Sequence, residues 1–353
     1  VLLHFVNRHG ERAPDSDELS FSEQIETIKN LTYIEGLEGL TNLGKQRGYH
    51  VGKFYRERYG ENGLKMISNL YFANEISIRS TDKERTKMMV LAAMAAAYPP
   101  EEPQQWNDGL GKVWQPIPYV TVPLSEDYLR FYTNCKKFDA LMAEVKAVAT
   151  NEEFCQFRDL AQLFNEKTGR NFTENPLLFE VVFDLYKSTL ALGLDIPEWA
   201  KPIFPRLSEA ARLGYNLYFK TEEMRKISGG VLLHKFMEAA DEIISGKDVK
   251  QRFIVISAHD FNVGALLEVK TDKAIPEYGA VFALELYRSR KSGAYTVMPV
   301  YLPQAGNSSL QYLRFIGCED YAACDFNKFS GFVKNSLLPE REYFKICNIR
   351  TEL

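Results

Sequence analysis

The chain has 353 residues, of which 45% are hydrophobic and 25% are charged, and its formal net charge is −4. This length allows one large domain or two, the composition is that of a globular protein, and the negative charge argues against non-specific nucleic-acid binding. No stretch approaches the roughly 20 apolar residues of a membrane span. We therefore expect a globular protein with neither a nucleic-acid nor a membrane partner.

The first part of the chain alternates strand and helix patterns. Residues 1–6, VLLHFV, form a short apolar run typical of a buried parallel strand. Residues 40–59 carry apolar side chains at helical spacing. The segment 76–82, ISIRSTD, alternates like a strand, and its last three residues are able to cap a helix over 83–98. The tract YPPEEP ends that helix.

A different pattern occupies residues 135–228, where four successive segments are all helical in period. We therefore predict an α/β protein whose core domain is formed by residues 1–134 and 229–353. This core would contain a mainly parallel sheet with helices on both faces. Residues 135–228 would form a smaller, inserted all-helical domain.

The last part of the chain returns to mixed patterns. A helix opened by two glycines is predicted over 229–246, and a second apolar strand over 251–260, QRFIVISAHD. Residues 281–302 read as a hairpin with a turn near Ser292 and Gly293.

Three of these strands end in residues of complementary chemistry. Arg8 and His9 follow the first strand, Arg79 lies at the end of the second, and His259 and Asp260 end the third. In parallel sheets, ligands bind at the carboxyl ends of the strands. We therefore expect these residues to form a single site.

The chemistry of this set suits a phosphate group. Arginine forks bind phosphate oxygens through paired N–H donors, and Arg8, Arg12 and Arg79 together would neutralise a dianion. A neutral histidine with one free ring nitrogen is a competent nucleophile, so His9 would attack phosphorus and form a phosphohistidine. Asp260 would protonate the departing oxygen as a general acid.

These residues lie in motifs of a known family. RHGERAP (8–14) resembles in full the RHGxRxP signature of the histidine acid phosphatases, and SAHD (257–260) resembles their second signature. IRSTDKERT (78–86) and WQPIPYVTVPLSED (114–127) are similar to stretches of the mammalian prostatic and insect venom members. The resemblance extends from residue 1 to about residue 347.

The resemblance implies the histidine phosphatase fold, hydrolysis of small phosphate monoesters at acidic pH, secretion or lysosomal location, frequent homodimers and no cofactor or metal. It implies that His9 is the nucleophile and Asp260 the proton donor. The phosphate ligands that it implies are Arg8, Arg12, Arg79 and His259. A phytase would need a strongly basic pocket, and no lysine-rich motif lies near the signatures.

Five cysteines occur in the chain. The resemblance implies disulfides between Cys135 and Cys347 and between Cys318 and Cys324, which leaves Cys155 unpaired. Disulfides are typical of secreted proteins.

Three N-x-S/T sequons, at Asn30, Asn171 and Asn307, are candidate glycosylation sites. The sequons also favour secretion, so we expect a secreted glycoprotein.

Two residues within the signatures are atypical of the family. Asn7 occupies a position that is usually apolar or aromatic, and Phe261 replaces the usual threonine after His-Asp. Phe261 either packs against the following helix or faces the pocket as a stacking surface. In the second case the protein is a catalytically weak or inactive acid phosphatase-like protein. It would act as a secreted salivary or venom scavenger of small amphipathic ligands, such as biogenic amines or lipid mediators, with Asn7 and Phe261 in the ligand pocket.

Overall fold

The structure, a computed structural model, describes residues 2–267, 275–315, 318 and 323–350. Within these residues the strands are β1 (Leu2–Arg8), β2 (Ile76–Ser80), β3 (Phe253–Ala258), β4 (Val281–Arg288), β5 (Tyr295–Leu302), β6 (Gln311–Tyr312) and β7 (Cys324–Asp325). The α-helices are α1 (Ser16–Leu19), α2 (Ile25–Leu31), α3 (Asn42–Tyr59), α4 (Glu84–Ala97), α5 (Phe131–Asn134), α6 (Lys136–Asn151), α7 (Arg158–Thr168), α8 (Leu178–Ala191), α9 (Phe204–Leu217), α10 (Glu222–Ile244), α11 (Asp260–Leu267), α12 (Phe326–Val333) and α13 (Glu340–Cys347). Short 3₁₀ helices span Glu102–Gln104, Leu110–Lys112, Tyr128–Arg130, Glu153–Phe157, Lys201–Ile203 and Lys334–Ser336.

The strands form one mixed sheet in the order β2-β3-β1-β4-β5-β6, with β7 paired to β5. β3 pairs in parallel with both β1 and β2, whereas β4 pairs antiparallel with β1 and with β5. The antiparallel half begins with the hairpin predicted over 281–302, whose turn contains Gly293 with a positive φ of 75°. The α/β fold class is confirmed.

Helices cover both faces of the sheet, as predicted. In β1, Leu3 and Phe5 pack into a hydrophobic cluster with α3 and α4. Leu2 and Val6 point to the opposite face and pack into a cluster that includes residues of α10, α11 and α12. Because successive strand residues face opposite sides, a strand buried on both faces needs the unbroken apolar run that begins this sequence.

A third hydrophobic cluster lies among the helices α7, α8 and α9. Leu19 of α1 and Ile28 of α2 belong to it, although both lie far upstream in the chain. The inserted helical domain over 135–228 remains a prediction. In the structure, α1 and α2 pack against the helices of this segment.

Two helix starts differ from the sequence prediction. The helix predicted from Gly229 begins at Glu222, where the Thr221 side chain accepts a hydrogen bond from the Met224 amide. The two glycines therefore lie inside this helix. Gly230 has to be glycine because a Cβ there would lie 2.5 Å from the Ser336 carbonyl oxygen. α4 begins after Lys83, with no side-chain cap, and Asp82 instead forms an ion pair with Lys87 at 2.5 Å.

The structure contains disulfides between Cys135 and Cys347 and between Cys318 and Cys324, and Cys155 is a free thiol. The first of these links the start of α6 to the last residue of α13. Over the described part of the chain, no helix combines the length and the apolar character needed to cross a membrane.

Candidate active site

The carboxyl ends of β1 and β3 lie side by side and open into a cavity of about 240 Å³. Arg8 pairs in register with Ala258, so the residues that follow each strand, His9 and His259, become neighbours. Their rings meet edge to face with centroids 5.5 Å apart. The topology therefore brings the two sequence motifs, 250 residues apart, into one cavity.

Arg8 is held in place by three contacts. One guanidinium nitrogen donates to the Pro276 carbonyl at 2.5 Å, and another lies 2.9 Å from a carboxylate oxygen of Asp260. The guanidinium carbon lies 4.3 Å from the centre of the Tyr278 ring, a cation–π contact. Arg8 therefore enters the cavity in one orientation.

Arg12 forms a two-pronged ion pair with Glu18 of α1, at 2.8 and 2.5 Å. A carboxylate oxygen of Asp184 lies 3.5 Å from the same guanidinium group. Because both side chains of the Arg12–Glu18 pair are buried, breaking the pair would leave an uncompensated charge.

The prediction that Arg79 binds phosphate is corrected by the structure. Arg79 forms an ion pair with the buried Asp127 at 2.6 Å and stacks over the Tyr128 ring at 4.2 Å, and it does not line the cavity. Arg85, in the first turn of α4, lines the cavity instead and pairs with Glu38 at 2.5 Å. Successive residues of a strand alternate between faces, whereas the first turn of the helix that follows β2 lies at the carboxyl end of the sheet. That position is the signal that distinguishes Arg85 from Arg79 in the segment IRSTDKERT.

The His9 ring is neutral and has one free nitrogen. Its Nδ1 lies 2.8 Å from the Gly10 carbonyl oxygen, which only accepts, so Nδ1 carries the proton and Nε2 keeps its lone pair. Burial lowers the pKa of His9 well below its usual range, and the positive charges of the cavity arginines lower it further. Gly10 is required here because a Cβ would lie 2.4 Å from the Gly44 carbonyl oxygen.

His259 lies beside His9, and its ring is also neutral. Burial lowers its pKa well below the usual range, with Arg85 adding to the effect. Its Nε2 hydrogen-bonds to the Thr81 hydroxyl at 3.0 Å.

Asn7 does not line the cavity, so the prediction that it belongs to a ligand pocket is wrong. It is buried in β1, where its amide donates to the Arg8 carbonyl at 3.3 Å and to the Ser257 hydroxyl at 3.4 Å. A polar side chain is tolerated at this position because its own strand and the neighbouring strand β3 each supply one of these acceptors.

Phe261 lines the cavity, which is the second arrangement considered from the sequence. It lies inside α11 itself, and the rings that it packs against belong to α5 and to the end of α9, not to the helix that follows His-Asp. Its ring lies 4.6 Å from that of Tyr132 and 4.2 Å from that of Tyr218, and it stacks on Tyr215 at 5.1 Å. Its amide donates to the Asp260 carboxylate at 2.8 Å. An apolar wall therefore stands next to the candidate proton donor.

Of the carboxyl groups in the cavity, only that of Asp260 was singled out from the sequence; two of the others lie on α8. Glu180 and Asp184 lie four residues apart on α8, so they share one face of that helix, and both line the cavity. Burial raises the pKa of Glu180 well above its usual range and that of Asp184 to about 7. The available signal was a pair of acids within the otherwise apolar run LFEVVFDL.

Comparisons with known proteins identify the family of this chain. The family model described as "Histidine phosphatase superfamily (branch 2)" matches residues 2–301. The chain is 30% identical to a venom acid phosphatase of Apis mellifera, over 99% of this chain and 87% of that protein. It is also 30% identical to the prostatic acid phosphatase of Homo sapiens, over 94% and 84% respectively.

Among solved structures, the phytase from Citrobacter braakii superimposes with a TM-score of 0.68 at 14% identity, covering 96% of this chain and 98% of that chain. At this identity the likeness shows the fold alone. The match of the family model, together with the two relatives, means that this chain belongs to branch 2 of the histidine phosphatase superfamily.

Proposed function

We propose that this protein is an acid phosphatase that hydrolyses small phosphate monoesters through a phosphohistidine on His9. The observation that carries the proposal is the neutral His9 ring, with Nε2 unprotonated, in a cavity lined by Arg8, Arg12 and Arg85. A neutral imidazole at acidic pH is what a nucleophile requires there, and guanidinium groups stay charged at any relevant pH.

The reaction proceeds in two steps. In the first, the His9 Nε2 lone pair forms a bond to phosphorus while the P–O ester bond breaks, and Asp260 gives its proton to the departing oxygen. In the second, the oxygen of a water forms a bond to phosphorus while the P–Nε2 bond breaks, and Asp260 takes the proton from that water. Phosphate then leaves, and the His9 ring is again neutral with a free Nε2. A bound phosphate would exchange with the Asp260 carboxylate for the Arg8 guanidinium, since the two now lie 2.9 Å apart. That exchange would free the Asp260 carboxyl group to contact the departing oxygen.

The protein is further proposed to be a secreted, glycosylated enzyme that needs no cofactor. Support comes from relatives that include venom and prostatic acid phosphatases, although lysosomal acid phosphatases are also among them. The disulfides fit an oxidising compartment, and the sequon residues Asn30, Asn171 and Asn307 are all exposed. A homodimer remains a prediction.

His9→Ala is expected to lower turnover of p-nitrophenyl phosphate at about pH 5 by at least about 1,000-fold, because the nucleophile is lost. The circular dichroism spectrum and the thermal midpoint should stay close to those of the native chain. Turnover that survives the substitution would contradict the phosphohistidine mechanism.

Asp260→Asn is expected to slow hydrolysis of alkyl phosphates by about 100-fold, and that of p-nitrophenyl phosphate by less than about tenfold. The difference arises because p-nitrophenolate is a stable anion that departs without a proton. The measurement is kcat for both substrates, and equal slowing of the two would count against a general-acid role.

Arg85→Lys is expected to lower kcat/KM by about 10-fold to 100-fold, because lysine lacks the paired donors that match a phosphate. Arg79→Lys is the matched control, and it should stay within about threefold of the native value while keeping a cation beside Asp127. A larger loss of kcat/KM in Arg79→Lys than in Arg85→Lys would show that Arg79, and not Arg85, contacts the phosphate.

A second candidate function, binding of a small amphipathic ligand, is favoured by one observation. Phe261 and Tyr132 form an aromatic wall of the cavity, and Asp260, Asp184 and Glu180 supply acidic groups within the same space. Such a site would take an amine with an apolar body, whether or not turnover is retained.

Phe261→Thr is expected to weaken calorimetric binding of tyramine by about fivefold, because ring contacts of this kind contribute about 1 kcal/mol. The substitution should not lower kcat/KM for p-nitrophenyl phosphate, since it widens the cavity and leaves His9 in place. His9→Ala is the control and should bind tyramine as the native chain does. Undetectable binding of tyramine to the native chain would remove the second candidate.

A further inference from the structure

The cavity contains more carboxyl groups than the proposed mechanism uses. The reaction requires one acid, Asp260, and Glu18 holds Arg12 in place. Glu180 and Asp184 of α8 have no part in either task, yet both line the space that the phosphate would occupy. Their presence in the cavity therefore calls for another explanation.

Asp184 lies where it competes with a phosphate. One of its carboxylate oxygens is 3.5 Å from the Arg12 guanidinium, and 29% of its side chain is exposed to the cavity. When ionised, it neutralises part of the arginine charge and repels a second anion. When protonated, it leaves the positive charge of Arg12 available to the substrate.

Glu180 lies four residues before Asp184 on the same helix and is more enclosed. Its Oε1 is buried and has no hydrogen-bond partner among the residues that the structure describes. Gly214 of α9 approaches so closely that a Cβ there would lie 2.3 Å from this oxygen. An ionised carboxylate oxygen without a donor is costly to bury, so this geometry favours the protonated acid and leaves Asp184 to ionise first as the pH rises.

We propose that Asp184, supported by Glu180, is a specificity-determining acid that excludes phosphate when ionised and so sets the upper pH limit of substrate binding. This inference rests on the proposed phosphatase function. In this proposal, α8 determines the pH range in which substrate binds. The nucleophile and the proton donor, at the end of the sheet, determine the chemical step.

Charged groups from every neighbouring element face this acid. Arg12 and Arg8 lower its pKa, whereas burial and the negative charges of Glu18 and Asp260 raise it, and the net shift is upward to about 7. Three further charged residues line the adjoining cavity that Asp184 also borders: Lys187, Arg212 and Glu277.

Two histidines and two tyrosines in or beside the site do not change charge over the same range. His9 and His259 both have pKa values well below the usual one, so they are already neutral in weak acid. Burial raises the pKa values of Tyr215 and Tyr218 well above theirs, so they also stay neutral.

The test is calorimetric binding of sulfate between about pH 5 and about pH 8. Sulfate is a suitable probe because it is a tetrahedral dianion at both values, whereas a phosphate group has its own ionisation near pH 6. Binding also needs no turnover, so the result does not depend on whether the site is catalytically active.

The native chain should bind sulfate at least about tenfold more weakly at the higher pH, and Asp184→Asn should reduce that change to less than about threefold. Glu180→Gln should give an intermediate value. The matched control is Asp195→Asn, which removes the same charge from a side chain that is 82% exposed and lies just after α8; it should behave as the native chain does.

The outcomes separate the two proposals. Sulfate binding that keeps its full pH dependence in Asp184→Asn overturns the role of Asp184 and leaves the phosphatase function intact. Absence of sulfate binding to the native chain at either pH overturns the phosphate site itself, and the role of Asp184 with it.

Thermal unfolding provides a second readout if Asp184→Asn folds but is not stable enough for the binding measurement. Because the folded-state pKa of Asp184 is raised, its stabilising contribution is complete below the unfolded value of 3.8 and is lost as the pH rises through about 7. The native midpoint should therefore fall across this range, and Asp184→Ala or Asp184→Asn should flatten the decline. An unchanged slope in both variants overturns the proposal.

Discussion

Three of the four guanidinium groups that line the cavity are paired with a carboxylate: Arg8 with Asp260, Arg12 with Glu18, and Arg85 with Glu38. The fourth, that of Arg130, lies over the Tyr132 ring. An unpaired buried charge would cost several kcal/mol, so without these partners the cluster of cations could not be assembled at the end of the sheet. The pairing also aims each fork before the substrate arrives. A phosphate entering the cavity meets oriented donors and does not have to order flexible chains.

The same charges set the state of the nucleophile. An imidazole next to three cations and shielded from water cannot hold a second proton, so His9 stays neutral in the acidic range where the enzyme is proposed to work. The Gly10 carbonyl then determines which nitrogen carries the one proton that remains. The cavity therefore combines a cationic lining with a neutral imidazole, because burial and the neighbouring arginines both lower the pKa of His9, whereas the paired carboxylates keep the arginines charged.

The helical segment that packs beside the sheet contributes to this balance. Tyr278 stacks under Arg8 and hydrogen-bonds through its hydroxyl to Ser188 of α8 at 3.3 Å. α8 also carries the carboxyl groups of Glu180 and Asp184 into the cavity. One helix therefore contacts Tyr278, which supports Arg8, and also supplies two of the acids in the cavity.

The sequence by itself determined the strands, because their apolar runs have no other environment in a globular protein, and it placed Arg8, His9, His259 and Asp260 at the ends of two of them. It did not distinguish Arg79 from Arg85, because the choice depends on which way each side chain leaves the backbone after β2. Nor did it distinguish Asn7, which turns into the sheet, from Phe261, which faces the cavity. The sequence could not identify the acids of α8 as site residues, because they reach the cavity only through packing of α8 against segments far away in the chain. Local pattern fixes which elements form, whereas burial, charge pairing and the meeting of distant segments decide which side chains share a site.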